Sequence, residues 1–310
     1  MVTLPRRRFA CPVHKVELGE GFYCLACQKY YPSVDGIPVL LNESNSVFRI
    51  SDYMSARTAY GGASSYAGSL DRRSGLRQLY RRVMFRLNEA PPPTQNYDVR
   101  DAVKHILNIE PAAKILVVGA GDTSLCGDVT YTDVAFGRNV ACIADAHDLP
   151  FEGGEFDACI VCAVLEHVAD PYRCVDEIIR VLRHAGYVYA ETPFMQPVHM
   201  RQHDFTRFTQ LGHRRLFRQF DEIQSGICGG TGVSAGQILR SALSAMSDRP
   251  GVKKWLKTIG LIGTYPFRWL DYLSYKNNSA YDSASGFYFF GILREQPISD
   301  RDILTFYRGG

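Results

Sequence analysis

At 310 residues, 46% hydrophobic and 22% charged, the chain is long enough for one large domain or one domain with a small accessory, and its composition excludes a disordered or collagen-like protein. The net charge of +3 excludes a global attraction for nucleic acid, so any basic contact has to be local. Arg6, Arg7 and Arg8 are followed by no apolar core of a secretory signal, and the longest apolar run, Ala158 to Leu165, is too short to cross a bilayer. The nine cysteines are an odd number, and most sit in apolar runs or at metal-type spacing, which favours buried thiols in a reducing, cytoplasmic setting.

The first element is a metal knot. Cys11-Pro-Val-His14 and Cys24-Leu-Ala-Cys27 can each form a tight turn that aims two soft ligands at one point. Together Cys11, His14, Cys24 and Cys27 make a tetrahedral set of the closed, structural zinc type. The segment before Pro38 is too small to fold on an apolar core alone, and a metal would supply the missing stability. On spacing alone, two surface turns with incidental cysteines remain the alternative. Tyr30-Tyr-Pro-Ser-Val-Asp-Gly-Ile-Pro-Val-Leu-Leu41 follows. With it, residues 10–41 resemble the small zinc-ribbon family that includes the activator subunit of eukaryotic tRNA and rRNA methyltransferases. His14 departs from that family, where cysteine is usual. Residues 1–43 are expected to form this module.

Residues 44–95 read as a connector. Its first part is rich in Ser, Ala, Gly and Tyr, with one short helix near Tyr53. Asp71 to Leu87 reads as a helix carrying six arginines against Asp71, with an apolar stripe at Leu76, Leu79, Tyr80, Val83 and Leu87. That face is either solvated and packed on the main domain, or a contact for phosphate in RNA or in a lipid- or nucleotide-linked substrate. Pro91-Pro-Pro93 stiffens the boundary. Asp98 to Asn108 leads into the core as a helix.

The core alternates strands and helices. Ile115 to Val118 is an apolar strand followed at once by Gly119-Ala120-Gly121, where glycine permits a tight turn and close backbone approach to a ligand. Ser124 stands where a dinucleotide fingerprint needs its third glycine, which counts against a nicotinamide cofactor. A second strand, Val129 to Asp133, ends in a carboxylate able to accept both ribose hydroxyls of an adenosine, or to serve as a turn aspartate. A third, Asn139 to Ile143, leads to Asp145-Ala146, a carboxylate and a backbone N–H placed to read an adenine edge. Phe156 to Leu165 is the fourth strand. Asp170-Pro171 starts a helix that Gly186 is expected to end, and Tyr187 to Glu191 is the fifth strand.

Leu149-Pro-Phe151, Phe156-Asp157, Leu165-Glu-His167 and Glu177-Ile-Ile-Arg-Val-Leu182 occur in that order. With them, residues 114–193 resemble class I S-adenosylmethionine-dependent methyltransferases. The resemblance implies an α/β fold: a seven-stranded Rossmann-like sheet with helices on both faces, here joined to the amino-terminal zinc ribbon. It implies that S-adenosylmethionine lies against Gly119, Ala120 and Gly121, with Asp133 on the ribose, Asp145 and Ala146 on the adenine, and Leu165 and Glu166 near the methionine end. Thr123 to Asp128 leaves room for one helical turn at most, where the family has a full helix.

An acceptor is expected past the fifth strand. His199, His203 and Asp204 cluster there with Arg207, and His167 is a second acceptor-side candidate. Equally, Asp204, Thr206 or Thr209 could cap the helix from Gln210 to Phe220, with the histidines supporting the loop. Phe220 to Cys228 and Phe287 to Leu293 read as the last two strands of a domain over 96–296, closed in the family as an antiparallel pair. An insertion at about 233–284 separates them, and 297–310 is a tail. Within the insertion, 253–270 is basic and aromatic: a cap over the site, a homodimer surface, or a peripheral membrane contact. The expected function is O-methylation of a small-molecule, glycan or lipid-linked acceptor. Base methylation of rRNA or tRNA is the first alternative, and a non-catalytic cofactor-binding scaffold the second.

Overall fold

The computed structural model describes residues 8–56 and 97–310. The expected arginine-rich helix from Asp71 to Leu87 and the triple proline lie outside the described residues.

The chain begins with a hairpin of β1 (Tyr23–Cys24) and β2 (Lys29–Tyr30), followed by β3 (Ser33–Val34), β4 (Ile37–Leu40) and the short helix α1 (Ile50–Ala56). Helix α2 (Val99–Ile109) is started by Asp98, whose side chain accepts from the N–H groups of Arg100 and Asp101, while Asp101 accepts in return from the Asp98 N–H. Then come β5 (Lys114–Val118), β6 (Asp128–Asp133), β7 (Val140–Ala144), β8 (Phe156–Cys162), α3 (Pro171–Val181), β9 (Leu182–Pro193), α4 (Gln210–Leu216) and β10 (Phe220–Gly229). Helices α5 (Thr231–Ala245), α6 (Pro250–Thr264) and α7 (Asp271–Ser274) precede β11 (Gly286–Leu293) and α8 (Asp300–Ile303).

The main sheet has the order β10-β11-β9-β8-β5-β6-β7-β4-β3. It holds nine strands rather than the seven expected. The two additional strands come from the amino-terminal segment: β4 runs parallel to β7, with Val39 opposite Ile143 and Leu40 opposite Ala144, and β3 pairs antiparallel with β4. Ile-Pro-Val-Leu, read as the end of a zinc ribbon, is thus an added strand of the main sheet. Its apolar run satisfies its backbone on an otherwise open edge. At the far edge β11 lies antiparallel between β9 and β10, as the family resemblance implied.

Alternation along each strand divides the interior in two. Leu116, Val118, Cys159, Val161, Val188, Ala190 and Phe289 face a core that holds α3 and the Cys11–Cys24 knot. Ile115, Val117, Ala158, Ile160, Tyr187, Tyr189 and Phe290 face the other, which holds α2 together with Phe48 and Tyr53. Parallel strands normally need a crossover of a dozen or more residues, usually a helix. Here, among the described residues, no helix joins β5 to β6 or β6 to β7. Instead, the amino-terminal chain covers that end of the sheet: its knot lies on one face, its strand on the edge, and Phe48 and Tyr53 on the other face.

One boundary differs from expectation. Gly186 does not end α3. The helix stops at Val181, and β9 starts at Leu182 with a register shift against β8 between Phe156 and Ala158. Ala185 takes a left-handed φ of 54°, and a β-carbon at Gly186 would lie 3.0 Å from the Arg183 carbonyl oxygen. The glycine is therefore needed by a bulge rather than by a helix cap.

A polar cluster ties the knot to the sheet. Glu177 on α3 accepts from Lys15 Nζ at 2.8 Å, from Arg180 Nε at 2.7 Å and from the Leu149 N–H at 2.8 Å. Burial would raise the Glu177 carboxyl, but Arg180 and Lys15 outweigh it and hold it below its usual range. A carboxylate depressed in the folded state stabilises above the ordinary carboxylate range, and that contribution is lost as pH falls through it. Glu177→Gln is expected to lower stability by about 2–3 kcal/mol at neutral pH, after discounting for the solvent that reaches Lys15 and Arg180. Urea unfolding at neutral and acid pH checks this: the difference from wild type shrinks on acidification.

Candidate active site

The carboxyl ends of β5, β6, β7 and β8 form one rim of the sheet. Gly119 leaves β5 with a φ of +70°, and a β-carbon there would lie 2.2 Å from Val164 Cγ2. Both the backbone conformation and the space therefore demand glycine. Gly121 also has a positive φ, and its N–H donates to Asp133 Oδ2 at 2.8 Å. The other Asp133 oxygen accepts from the Ala135 N–H at 2.8 Å. Burial raises the Asp133 carboxyl against these backbone donors, which pull it down. Asp133 thus fixes the glycine loop. The segment from Asp122 to Gly127 contains no helix, as the short spacing implied.

Asp145 stands just beyond β7. Its Oδ1 accepts from His147 Nδ1 at 2.6 Å and from the His147 N–H at 3.0 Å, and its Oδ2 accepts from Ser46 Oγ at 2.6 Å. Because His147 Nε2 accepts from the Asp170 N–H, the proton of this imidazole sits on Nδ1. Burial would raise the Asp145 carboxyl, but these donors hold it below its usual range. Ser46 belongs to a strap that crosses the rim. Asn42 and Asn45 donate to Asp148 Oδ2 at 3.1 and 2.9 Å, the ring of Phe48 stacks on His203, and Tyr53 Oη donates to the Val134 carbonyl at 2.7 Å. Nothing in the composition of residues 42–56 marks Ser46 as a partner of Asp145. Only chain crossing brings them together.

The acceptor-side residues follow β8. Ala163 takes a left-handed φ of 53°, the His167 N–H donates to the Val164 carbonyl, and Leu165 and Glu166 are fully buried. The N–H groups of Phe205 and Thr206 both donate to the Glu166 carbonyl, which docks the loop after β9 onto this turn. His167 Nδ1 donates to the His203 carbonyl at 2.7 Å, so its Nε2 keeps a lone pair. The rings of His167 and His199 meet edge to face at 4.7 Å, and both Nε2 atoms point to Glu166 Oε1, at 3.6 and 3.7 Å. Glu166, beside His199, raises the imidazole's basicity against the opposing effect of burial, with help from Asp204.

Of the four candidate acceptor residues, His167 and His199 come together. The other two do different work. Asp204 forms a bidentate pair with Arg207 and accepts from the His199 N–H at 2.6 Å, while Arg207 also donates to the carbonyls of Gln196 and Pro197. This clamp sets the loop that carries His199. The His203 ring stacks on Phe48 of the strap instead of joining Glu166. The helix α4 is capped by Thr209, which accepts from the Gly212 N–H, and ends at Leu216, short of Phe220.

A second cluster lies in the knot. Cys11 Sγ is 3.9 Å from Cys27 Sγ and 3.7 Å from His14 Nδ1, and Cys24 Sγ is 3.9 Å from His14 Nδ1. Tetrahedral zinc–thiolate bonds of about 2.3 Å place two sulfurs about 3.8 Å apart, so this donor set has the right composition and spacing.

The model of a family described as methyltransferase domain matches residues 123–190. A demethylmenaquinone methyltransferase of Clavibacter sepedonicus is 26% identical over 117 residues, 38% of this chain, and the chain spans 44% of that relative's length. Among solved structures, a complex of the Haloferax volcanii Trm112 methyltransferase activator with a methyltransferase aligns at 15% identity and a TM-score of 0.37, covering 63% of this chain and 89% of the other. A phosphoethanolamine N-methyltransferase of Haemonchus contortus aligns at 15% identity and 0.39, covering 80% and 67%. Likenesses this distant say nothing of an acceptor. The family match falls on β6 to β8, the Leu-Pro-Phe segment, the Leu-Glu-His turn and most of β9, so this part of the chain is similar to a methyltransferase domain.

Proposed function

We propose that the protein transfers a methyl group from S-adenosylmethionine to a hydroxyl oxygen of a small-molecule, sugar or lipid-linked acceptor. The observation that carries this reading is the convergence of His167 and His199 on Glu166 beside the glycine loop. The cofactor supplies a sulfonium-activated methyl group when bound. Gly119 and Gly121 let the backbone approach it, Asp133 faces its ribose, and Asp145 with the Ala146 N–H reads its adenine. The Asp145 oxygen that accepts from Ser46 Oγ would be the one to hold the adenine amino group. The protein's remaining task is to align the acceptor and remove its proton. The Nε2 atoms of His167 and His199 are the proton acceptors available at the rim.

The insertion favours a lipid-linked acceptor. Trp255, Trp269, Met246 and Leu273 are 68%, 50%, 74% and 79% exposed, and Lys253, Lys254 and Lys257 stand on the same helix as Trp255. Aromatic and apolar side chains beside lysines suit an anionic membrane surface. Among the described residues no helix is long and apolar enough to cross a membrane. Labelled cofactor offered with a metabolite and lipid extract, and separately with total RNA, tests the reading. Label in a hydroxylated metabolite or lipid supports it, and label in RNA alone overturns it. Absence of sedimentation with anionic vesicles at low salt sinks the lipid part.

In the knot, we assign Cys11, His14, Cys24 and Cys27 to a structural zinc. Cys11 and Cys24 belong to the same apolar cluster as Leu116 and Phe289, so loss of the metal reaches the sheet. Cys24→Ser is expected to lower zinc content and the melting temperature by about 5–10 °C. Elemental analysis and a thermal melt check both.

A further inference from the structure

We infer that Glu166, His167 and His199 form a second metal site, which binds a divalent cation and through it an acceptor with two adjacent oxygens. The inference rests on the acceptor-side reading above, and it changes the two Nε2 atoms from proton acceptors to ligands.

The ligand atoms of the three residues all lie within 4.8 Å of one another. Glu166 is the decisive member. It is fully buried, and among the described residues neither carboxylate oxygen has a hydrogen-bond partner. A buried carboxylate left in this state is costly unless something positive meets it. The nearest imidazole nitrogens, at 3.6 and 3.7 Å, are beyond hydrogen-bond range. They are at the separation of neighbours in one coordination shell. Ligands about 2.0–2.2 Å from a shared ion, at tetrahedral angles, lie roughly 3.3–3.6 Å apart.

The surroundings fit ligation on three further counts. His167 donates its Nδ1 proton to the His203 carbonyl, which leaves Nε2 as the bare nitrogen facing Glu166. His199 Nδ1 lies 3.4 Å from both Asp204 Oδ2 and Arg207 Nη2, so this pair holds the imidazole from behind and turns Nε2 toward Glu166. Asp204 is itself clamped by Arg207, so the second histidine is held on a fixed loop. Two histidines and one carboxylate leave coordination positions open, which is the donor set of catalytic rather than structural ions. An ion there would draw an acceptor oxygen to the rim and ease loss of its proton. A diol, a catechol or a hydroxy acid could chelate it.

The experiment uses the full chain with its amino-terminal zinc in place. Manganese(II) is titrated into the protein and the free ion is followed by electron paramagnetic resonance. Manganese prefers oxygen and nitrogen donors, so the thiolate knot does not compete. We expect about one manganese per chain, with affinity reduced at least tenfold in Glu166→Gln and in His199→Ala. His184→Ala, exposed and remote from these residues in the fold, should bind as wild type does. Near-ultraviolet circular dichroism matching wild type shows that the variants are folded. No binding of manganese, and none of cobalt(II) beyond a thiolate-type spectrum, overturns the inference. So does binding unchanged in both variants. Methyl transfer to a hydroxyl by a protein that binds no second ion would leave the O-methylation reading standing alone. A bound ion with transfer only to RNA would do the reverse.

Discussion

His199→Ala lowers the rate of methyl transfer by about 10²–10⁴-fold while the affinity for S-adenosylmethionine stays within about twofold. The split is expected because His199 reaches the rim from the loop after β9, whereas the glycine loop, Asp133, Asp145 and Ala146 sit at or just past the ends of β5, β6 and β7. His167→Ala should lose turnover to a similar degree. It also removes the bond from Nδ1 to the His203 carbonyl, so it loosens the loop as well. Turnover with labelled cofactor and calorimetric titration of the cofactor separate the two effects. If His199→Ala loses cofactor binding along with turnover, its role is structural and the acceptor assignment fails.

Gly119→Ala is the second large effect, and it falls on folding and cofactor binding together. A left-handed φ costs a non-glycine residue about 1–2 kcal/mol. The added methyl would also meet Val164 Cγ2 at 2.2 Å, and a β-branched side chain on a tight turn has no easy rotamer to retreat into. Overpacking of this kind costs about 1–3 kcal/mol. The total expected is about 2–5 kcal/mol of stability, with cofactor affinity lost as the loop shifts. The pair Gly119→Ala with Val164→Ala relieves the clash and leaves the backbone cost. Partial recovery of the urea midpoint in the double variant is therefore the check. Full recovery would mean that φ at this position is unimportant.

The strands of the central sheet were legible because their side chains are apolar on both faces. No alternation of polar and apolar residues was needed: Ile115 to Val118 and Ala158 to Val161 are buried whichever way they point. The start of α3 was legible because Asp170-Pro171 carries its own local chemistry. The end of the same helix was not, since a glycine that serves a bulge, as Gly186 does, and one that caps a helix look alike in sequence. The glycine loop and the Leu-Glu-His turn were legible as ordered motifs. The orientation of their side chains was not.

By itself, the sequence determined the α/β class, the Cys-His knot, the order of the strands along the chain and the candidate residues for the rim. These depend on local periodicity, on spacing within a turn and on residue type, all of which are properties of neighbours in the chain. Tertiary structure decided the rest. It placed Ile37–Leu40 beside β7 as an added strand of the sheet, laid Ser46 on Asp145, and set Phe48 against His203. It divided four acceptor candidates into a pair on Glu166, a clamp and a stacking ring. Each of these contacts, except the clamp and that of His167 with its neighbour Glu166, joins segments far apart in the chain, and their energies come from burial and hydrogen-bond geometry that exist only once the sheet has formed.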